Sequence, residues 1–280
     1  MKPKTTLKLD EIGPWSEIKL DILKEYATAY STILSAQKRP RLYHAYIDAF
    51  SGVGVHVSKS TGTFVLGSPL NALQVKPPFR EYHLIDLASE KVDALRKIIG
   101  NRKDVSLYEG DCNSILLETV FPKTRYENYR RALCLLDPYG LHLKWKVIET
   151  AGQMKSIDMF LNFPIADINR NVLRHDPESV RDDDIQRMNS FCGDDSWRQA
   201  AYTTNGNLFG YPEKEDNETI AQWFRDRLKD KAGFKYVPEP IPMKNTKGAT
   251  LYYLFFASQK PVAGEIVVDI FKKYQQRGEK

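Results

Sequence analysis

At 280 residues the chain is long enough for one large domain, or for one domain carrying a sizeable insertion. Its composition, 42% apolar and 28% charged, argues against disorder, and no apolar run approaches the roughly 20 residues of a membrane helix. The net charge of +5 is a mild excess that permits contact with nucleic acid without requiring it.

The amino-terminal MKPKTTLKLDEIGPW has no apolar core of the signal-peptide kind, which predicts a cytoplasmic protein without membrane contact. Residues 14–37 open with Pro14 and carry Trp15, Ile18, Ile22, Tyr26, Tyr30 and Ile33 at three- and four-residue steps. That stripe predicts a helix packed on a larger body. After the basic link KRPRLYH, strand-like and helix-like stretches alternate. AYIDAF, EYHLID (81–86), VSLYEGD (105–111), RALCLLD (131–137) and SIDMFLNF (156–163) read as strands. SEKVDALRKIIG (89–100), NSILLETVF and LKWKVIETAGQM read as helices between them. This alternation predicts a parallel sheet covered on both faces.

The pattern breaks at residues 165–212, which are polar and contain short helical stretches. A charged amphipathic helix follows over 213–233. Two strands, 234–243 and 250–258, are joined by a link too short for a helical crossover and so form an antiparallel hairpin. A last helix closes the chain. The expected architecture is therefore α/β and Rossmann-like: the class I methyltransferase arrangement, a mostly parallel seven-stranded sheet with helices on both faces and a carboxy-terminal hairpin. Residues 1–40 form a helical segment packed on the core, and 41–280 the methyltransferase domain, with the polar insertion at about 165–212. Cys112, Cys134 and Cys192 lie far apart without a CxxC pair and read as scattered thiols, with no metal site among them.

Ligands in open α/β sheets bind at the carboxyl ends of the strands, so the residues there carry the functional argument. Strand one ends Asp48-Ala-Phe50-Ser51-Gly52-Val-Gly54, and its glycines allow close backbone approach to a ligand. Strand two ends in Asp86, suited to the hydroxyls of a ribose. The third ends Gly110-Asp111-Cys112-Asn113, where a carboxylate can accept an adenine amino proton. The fourth ends Asp137-Pro138-Tyr139-Gly140. Any one acid is also a good helix N-cap; four consecutive strands ending in Asp point to a ligand. GxGxxG is absent, which weakens a nicotinamide reading. The DPYG stretch has the residue types an amine methyl transfer needs. A carboxylate and a prolyl carbonyl accept the amine hydrogens while the lone pair faces the methyl, and an aromatic stacks on a planar base. Asp137, Pro138 and Tyr139 are the candidate catalytic residues. A sulfonium cofactor, S-adenosylmethionine, supplies its own leaving group.

Together with PWSEIKLDILKEYATAY, the runs YIDAFSGVG, GSP (67–69), LLDPYGLHLKW and DMFLNFP resemble the three-Cys-motif partner (TcmP) family over about residues 14 to 260. The resemblance implies a Rossmann-like methyltransferase fold and a neighbouring, separately encoded three-cysteine protein as a partner. By similarity to class I enzymes, Asp48, Phe50, Ser51, Gly52 and Gly54 would form the first cofactor loop, Asp86 would hold the ribose, and Asp111 with Asn113 would face the adenine. DPYG is similar to the DPPY box of amino-adenine methyltransferases but lacks its second proline. The implied activity is N-methylation of an exocyclic amine of a nucleobase in RNA or DNA. A small molecule or protein side chain as acceptor, and a catalytically silent assembly partner, are the alternatives.

Between strand one and its helix lies VHVSKSTGTFVLGSPLNAL, in which Ser68 reads as N-cap and 55–66 as a lid, small hairpin or surface excursion. Lys38, Arg39, Arg41, Arg125, Arg130 and Arg131 are candidates for a positive rim that holds nucleic acid. Asn162, Asn169 and Arg170 follow strand five and face the same crevice, where they are either substrate contacts or polar residues of an exposed loop, and Tyr252, Tyr253, Phe255 and Phe256 read as hairpin packing. His44 and His83 read as core residues. His142 is the one histidine placed to act as a base, and Asp182–Asp184 reads as solvated charge at a helix start.

Overall fold

The computed structural model describes residues 9–174, 176–203 and 213–278. A helix, α1 (Pro14–Ala36), precedes β1 (Tyr43–Asp48). There follow α2 (Ser68–Leu73), β2 (Glu81–Asp86), α3 (Ser89–Ile99), β3 (Val105–Glu109), β4 (Arg130–Leu136), α4 (Trp145–Met154) and β5 (Ile157–Phe163). Beyond β5 come α5 (Ile165–Asn171), α6 (Asp182–Cys192), α7 (Asn217–Asp230), β6 (Ile241–Lys244), β7 (Thr250–Ala257) and α8 (Pro261–Gly278).

The strands form one 7-stranded sheet in the order β3-β2-β1-β4-β5-β7-β6. The first five are parallel, and β7 runs antiparallel to both β5 and β6. This is the class I methyltransferase arrangement. Strand order reverses between β1 and β4, so their carboxyl ends open the crevice.

Each central strand feeds two cores, which is why its sequence is a continuous apolar run. In β4, Leu133 and Leu135 face α1, α2 and α8, while Ala132, Cys134 and Leu136 face α4 and α7. On the first side Tyr26 of α1 packs edge-on against Phe160, with ring centroids 5.2 Å apart, and at 4.7 Å from Phe256. On the second, Phe224 of α7 meets Phe163 at 4.5 Å and Phe191 of α6 at 5.7 Å. The polar stretch after β5 therefore supplies buried apolar residues, among them Ile168, Val172, Met188 and Trp197. All three cysteines are free and buried.

Several local features differ from the sequence expectation for identifiable reasons. β6 begins at Ile241 because Pro238 and Pro240 cannot donate to a ladder; upstream only Tyr236 bridges to Ser258. The charged helix starts at Asn217, where Asp216 caps it by accepting from Thr219 N at 2.7 Å, and Glu213–Lys214 pairs with Tyr202–Thr203 as a short ribbon. The residue that caps α2 is Gly67, and Ser68 is its first turn. Residues 55–66 form a hairpin, Val55–Ser58 against Phe64–Leu66, and Glu11–Ile12 adds to it in parallel as a third strand.

Gly152 in α4 lies where a Cβ would stand 2.0 Å from the Ala232 carbonyl oxygen. Gly152→Ala should therefore push α4 off the loop after α7 and cost at least about 2 kcal/mol. A fall in the urea midpoint at unchanged m-value checks this.

Candidate active site

A cleft of about 420 Å³ opens at the carboxyl ends of β1, β4 and β5, beside the amino end of the antiparallel β7. Phe50, Ser51 and Gly52 from the loop after β1, Asp137, Pro138 and Tyr139 after β4, and Asn162 at the end of β5 form its floor. Lys19 of α1 and Tyr252 of β7 form a wall, and Asp10, Glu11 and His56 of the small sheet form a roof.

The loop after β1 is shaped by the strand-end acids. Asp48 is fully buried and accepts from Phe50 N (3.2 Å) and Tyr46 Oη (3.3 Å), with the Ser68 hydroxyl a further donor. Burial pushes its carboxyl up to about 6, against these hydrogen bonds, which favour the charged form. Asp86 accepts from Gly52 N and from Ala88 N, both at 2.9 Å, and so ties the glycine turn to the end of β2. Gly52 has φ of 60°, in the left-handed region, and nothing lies within 4 Å of where its Cβ would stand. The turn thus offers bare backbone to the cleft, as close approach of a ligand requires. Gly54 serves packing instead: a Cβ there would meet Leu95 and Leu70 at 2.8 and 3.0 Å.

Asp137 is held by Lys19, whose ammonium bonds Oδ2. Lys19 is only 9% exposed. Burial opposes its charge, but the Asp137 carboxylate, with Tyr252 beside it, holds its pKa above the ordinary lysine value. The ammonium also stands 5.2 Å from the Tyr252 ring centroid. No protein donor reaches Asp137 Oδ1, and no backbone amide donates to the Pro138 carbonyl among the described residues. Both acceptors are open. Tyr139 is 66% exposed at the mouth, with Lys91 Nζ 5.4 Å from its ring.

Of the residues expected from sequence, Phe50, Ser51, Gly52, Asp137, Pro138 and Tyr139 share this cleft, and Asp86 is one hydrogen bond behind it. Asp48 and Gly54 lie beneath the loop. Asp111 caps the turn at Cys112–Ile115 by accepting from Asn113 N. The Asn113 side chain bonds Asp111, the His142 carbonyl and Lys144 N, bolting the loop after β3 to the one after β4. His142 is exposed outside the cleft. Asn169 bonds Asn217, whereas Asn162 is buried in β5 itself, not in a loop.

Sequence reasoning missed Lys19, His56 and Tyr252. Lys19 had a readable signal: it falls four residues after Trp15 and three before Ile22, so a cation interrupts the buried stripe of α1. The expected positive rim does not border the cleft. Arg130 and Arg131 begin β4, roughly 20 Å of extended strand from Asp137. Arg130 pairs there with Glu81 at 3.0 Å. Lys38, Arg39 and Arg41 precede β1 at the same amino edge. Asp10 and Glu11 border the cleft instead, with Lys91 paired to Asp10 at 3.8 Å.

No family model matches the chain, and no curated protein matches it in sequence. Among solved structures it is similar to a protein of Legionella pneumophila str. Philadelphia 1 from the family termed DUF519, with TM-score 0.50 and 12% identity over 91% of this chain and 92% of that one. It is also similar to the methyltransferase domain of bacterial CtHen1 (TM-score 0.38, 12% identity, 84% and 98% covered). A third is the N-methyltransferase NodS from Bradyrhizobium japonicum WM9 (TM-score 0.40, 8% identity, 88% and 98% covered). At such identities the likeness extends to the fold and no further. No helix among the described residues is long and apolar enough to cross a membrane.

The Asp48 carboxyl binds its proton more tightly folded than unfolded, so the folded state gains stability as pH falls through about 6 toward 4. Asp48→Asn removes that dependence. It should be more stable than wild type by roughly 2–3 kcal/mol at pH 7 and about equal to it near pH 4. Paired denaturant titrations across this range check the sign.

Proposed function

We propose that the chain is an S-adenosylmethionine-dependent N-methyltransferase whose acceptor is the exocyclic amine of a planar heteroaromatic ring, presented as a small molecule. The observation that carries the reading is the pair of open acceptors, Asp137 Oδ1 and the Pro138 carbonyl, beside a bare glycine turn in the class I crevice. When bound, the cofactor supplies an electrophilic methyl group with its own leaving group. Asp86, Gly52 and Ser51 would hold it along the β1 and β2 ends. Asp137 and Pro138 would take the hydrogens of the acceptor amine, so that its lone pair points at the methyl. Lys19 occupies Asp137 Oδ2 and leaves Oδ1 to accept from the substrate. Tyr139 gives the ring a face to stack on.

The carboxylates bordering the cleft, Asp10 already paired with Lys91, favour a small acceptor over a base held in RNA or DNA, because a phosphate track needs unpaired cations at the cleft and the arginines of β4 lie at the other edge. The resemblance to three-Cys-motif partners supports a second reading, a silent assembly partner. Against it stand buried polar atoms of the cleft without a hydrogen-bond partner, Asn162 Oδ1 and His56 Nδ1. These cost stability that a purely structural protein would recover by apolar replacement.

Calorimetry with S-adenosylhomocysteine should give saturable binding, weakened about tenfold or more in Asp86→Ala, the loss of one good polar contact. No binding at millimolar ligand, with Asp86→Ala indistinguishable from wild type, would sink the enzyme reading. Incubation with methyl-labelled cofactor should place label in a metabolite extract; label confined to RNA or DNA would restore the nucleic-acid acceptor.

A further inference from the structure

Asn162 sits one register step beyond the Leu136–Leu161 pair, directly across from Asp137 on the neighbouring strand. Side chains alternate along β5: Leu161 and Phe163 enter the core under α4 and α7, while Phe160 and Asn162 face the α1 side. Asn162 and the Asp137 carboxylate therefore project side by side from strands about 4.8 Å apart. Asn162 is 8% exposed, and its wall of the cleft includes Leu20, Leu23 and Leu135. Its Oδ1 has no hydrogen-bond partner. The contrast is Asn113, equally buried, whose amide makes bonds to Asp111, His142 and Lys144. A buried amide oxygen without a partner is a cost to the free protein.

We propose that Asn162 is the specificity residue of the cleft and reads an amidine edge, a ring nitrogen next to an exocyclic amine. This rests on the reading of the cleft as the methyl-acceptor site and narrows its substrate to amino-heteroarenes. An amide presents one acceptor and one donor at fixed spacing. An exocyclic amine beside a ring nitrogen presents the complementary donor and acceptor, the pairing by which asparagine reads adenine. The second amine hydrogen goes to Asp137 Oδ1, so that Asn162 Oδ1 shares with the Pro138 carbonyl the hydrogen on the ring-nitrogen side. Both hydrogens are then held in the ring plane and the lone pair is left facing out of it. A ring amine without the neighbouring nitrogen leaves the Asn162 donor unpaired, and a ring carbonyl in place of the amine points an oxygen at the Asp137 carboxylate. Both are rejected by the same two residues.

The test uses 2-aminopyrimidine and aniline, of equal ring size and both neutral at pH 7.5, titrated into the full chain by NMR. Wild type should prefer 2-aminopyrimidine at least tenfold, and Asn162→Leu, close in volume, should bind the two alike. A structural asparagine would not show the accompanying shift: Asn162→Leu should raise Tm, because an unpaired amide is replaced by an apolar group, whereas Asn113→Leu should lower it. Equal binding of the two amines by wild type, or a Tm that falls in Asn162→Leu as in Asn113→Leu, overturns the proposal. A separate titration with S-adenosylhomocysteine distinguishes the two levels. Lack of cofactor binding with the amine preference intact removes the methyltransferase reading and leaves the amidine site. Cofactor binding without the preference does the reverse.

Discussion

A lysine ammonium held inside the molecule by one carboxylate sets the position of everything around the cleft. Desolvating Lys19 is unfavourable unless Asp137 is within reach, and removing either partner leaves the other uncompensated. The same helix carries a second buried polar contact seven residues on, Tyr26 Oη to Asp158 at 2.8 Å, at the start of β5. Seven residues advance a helix by about 10 Å. The two contacts pin α1 against opposite ends of neighbouring strands, and a slide by one turn, about 5.4 Å, would break both. The position of the helix over the crevice is therefore fixed by polar geometry, while the apolar stripe sets only which face it buries.

The strand-end acids have two functions that sequence reasoning tends to treat as rivals. Asp48, Asp86 and Asp111 each accept from amides of the loop that follows, as capping residues do. For Asp86 that bonding is also what presents the glycine turn to the cleft. Capping and ligand geometry are one arrangement there: the carboxylate that orders the turn leaves lone pairs beside it. Asp137 differs in kind, since its partner is a side chain from a distant helix and one oxygen remains open.

Much of the fold was legible because it depends on local pattern. The alternation of apolar runs with helical periods specifies a parallel sheet, the short link before β7 requires an antiparallel return, and Gly100 marks the end of α3. The glycine turn and DPYG could be read as one site from their place at strand ends. What was not legible depends on chain separation. Lys19 and Asp137 are 118 residues apart, and neither has a sequence neighbour that announces the other. Asn162 lay inside the expected strand 156–163, but nothing in its sequence neighbourhood showed that its side chain would face the crevice without a partner. The basic residues looked like a rim because sequence order does not say which edge of a sheet a strand's first residues occupy. The polar stretch after β5 hid its core residues because they are spaced among charges.

The packing of α1 also has a consequence for synthesis. The helix is made well before the surfaces that cover its stripe: Phe160 from β5, Phe256 from β7, and α8, which it meets through the Glu25–Lys273 pair. At 5–20 residues per second, Tyr26 waits on the order of 10–50 s for Phe256 to be made. During that interval an apolar helix face has no native cover, so the nascent chain is a natural client for chaperones. The cleft it walls cannot exist until β7, which carries Tyr252, has been made.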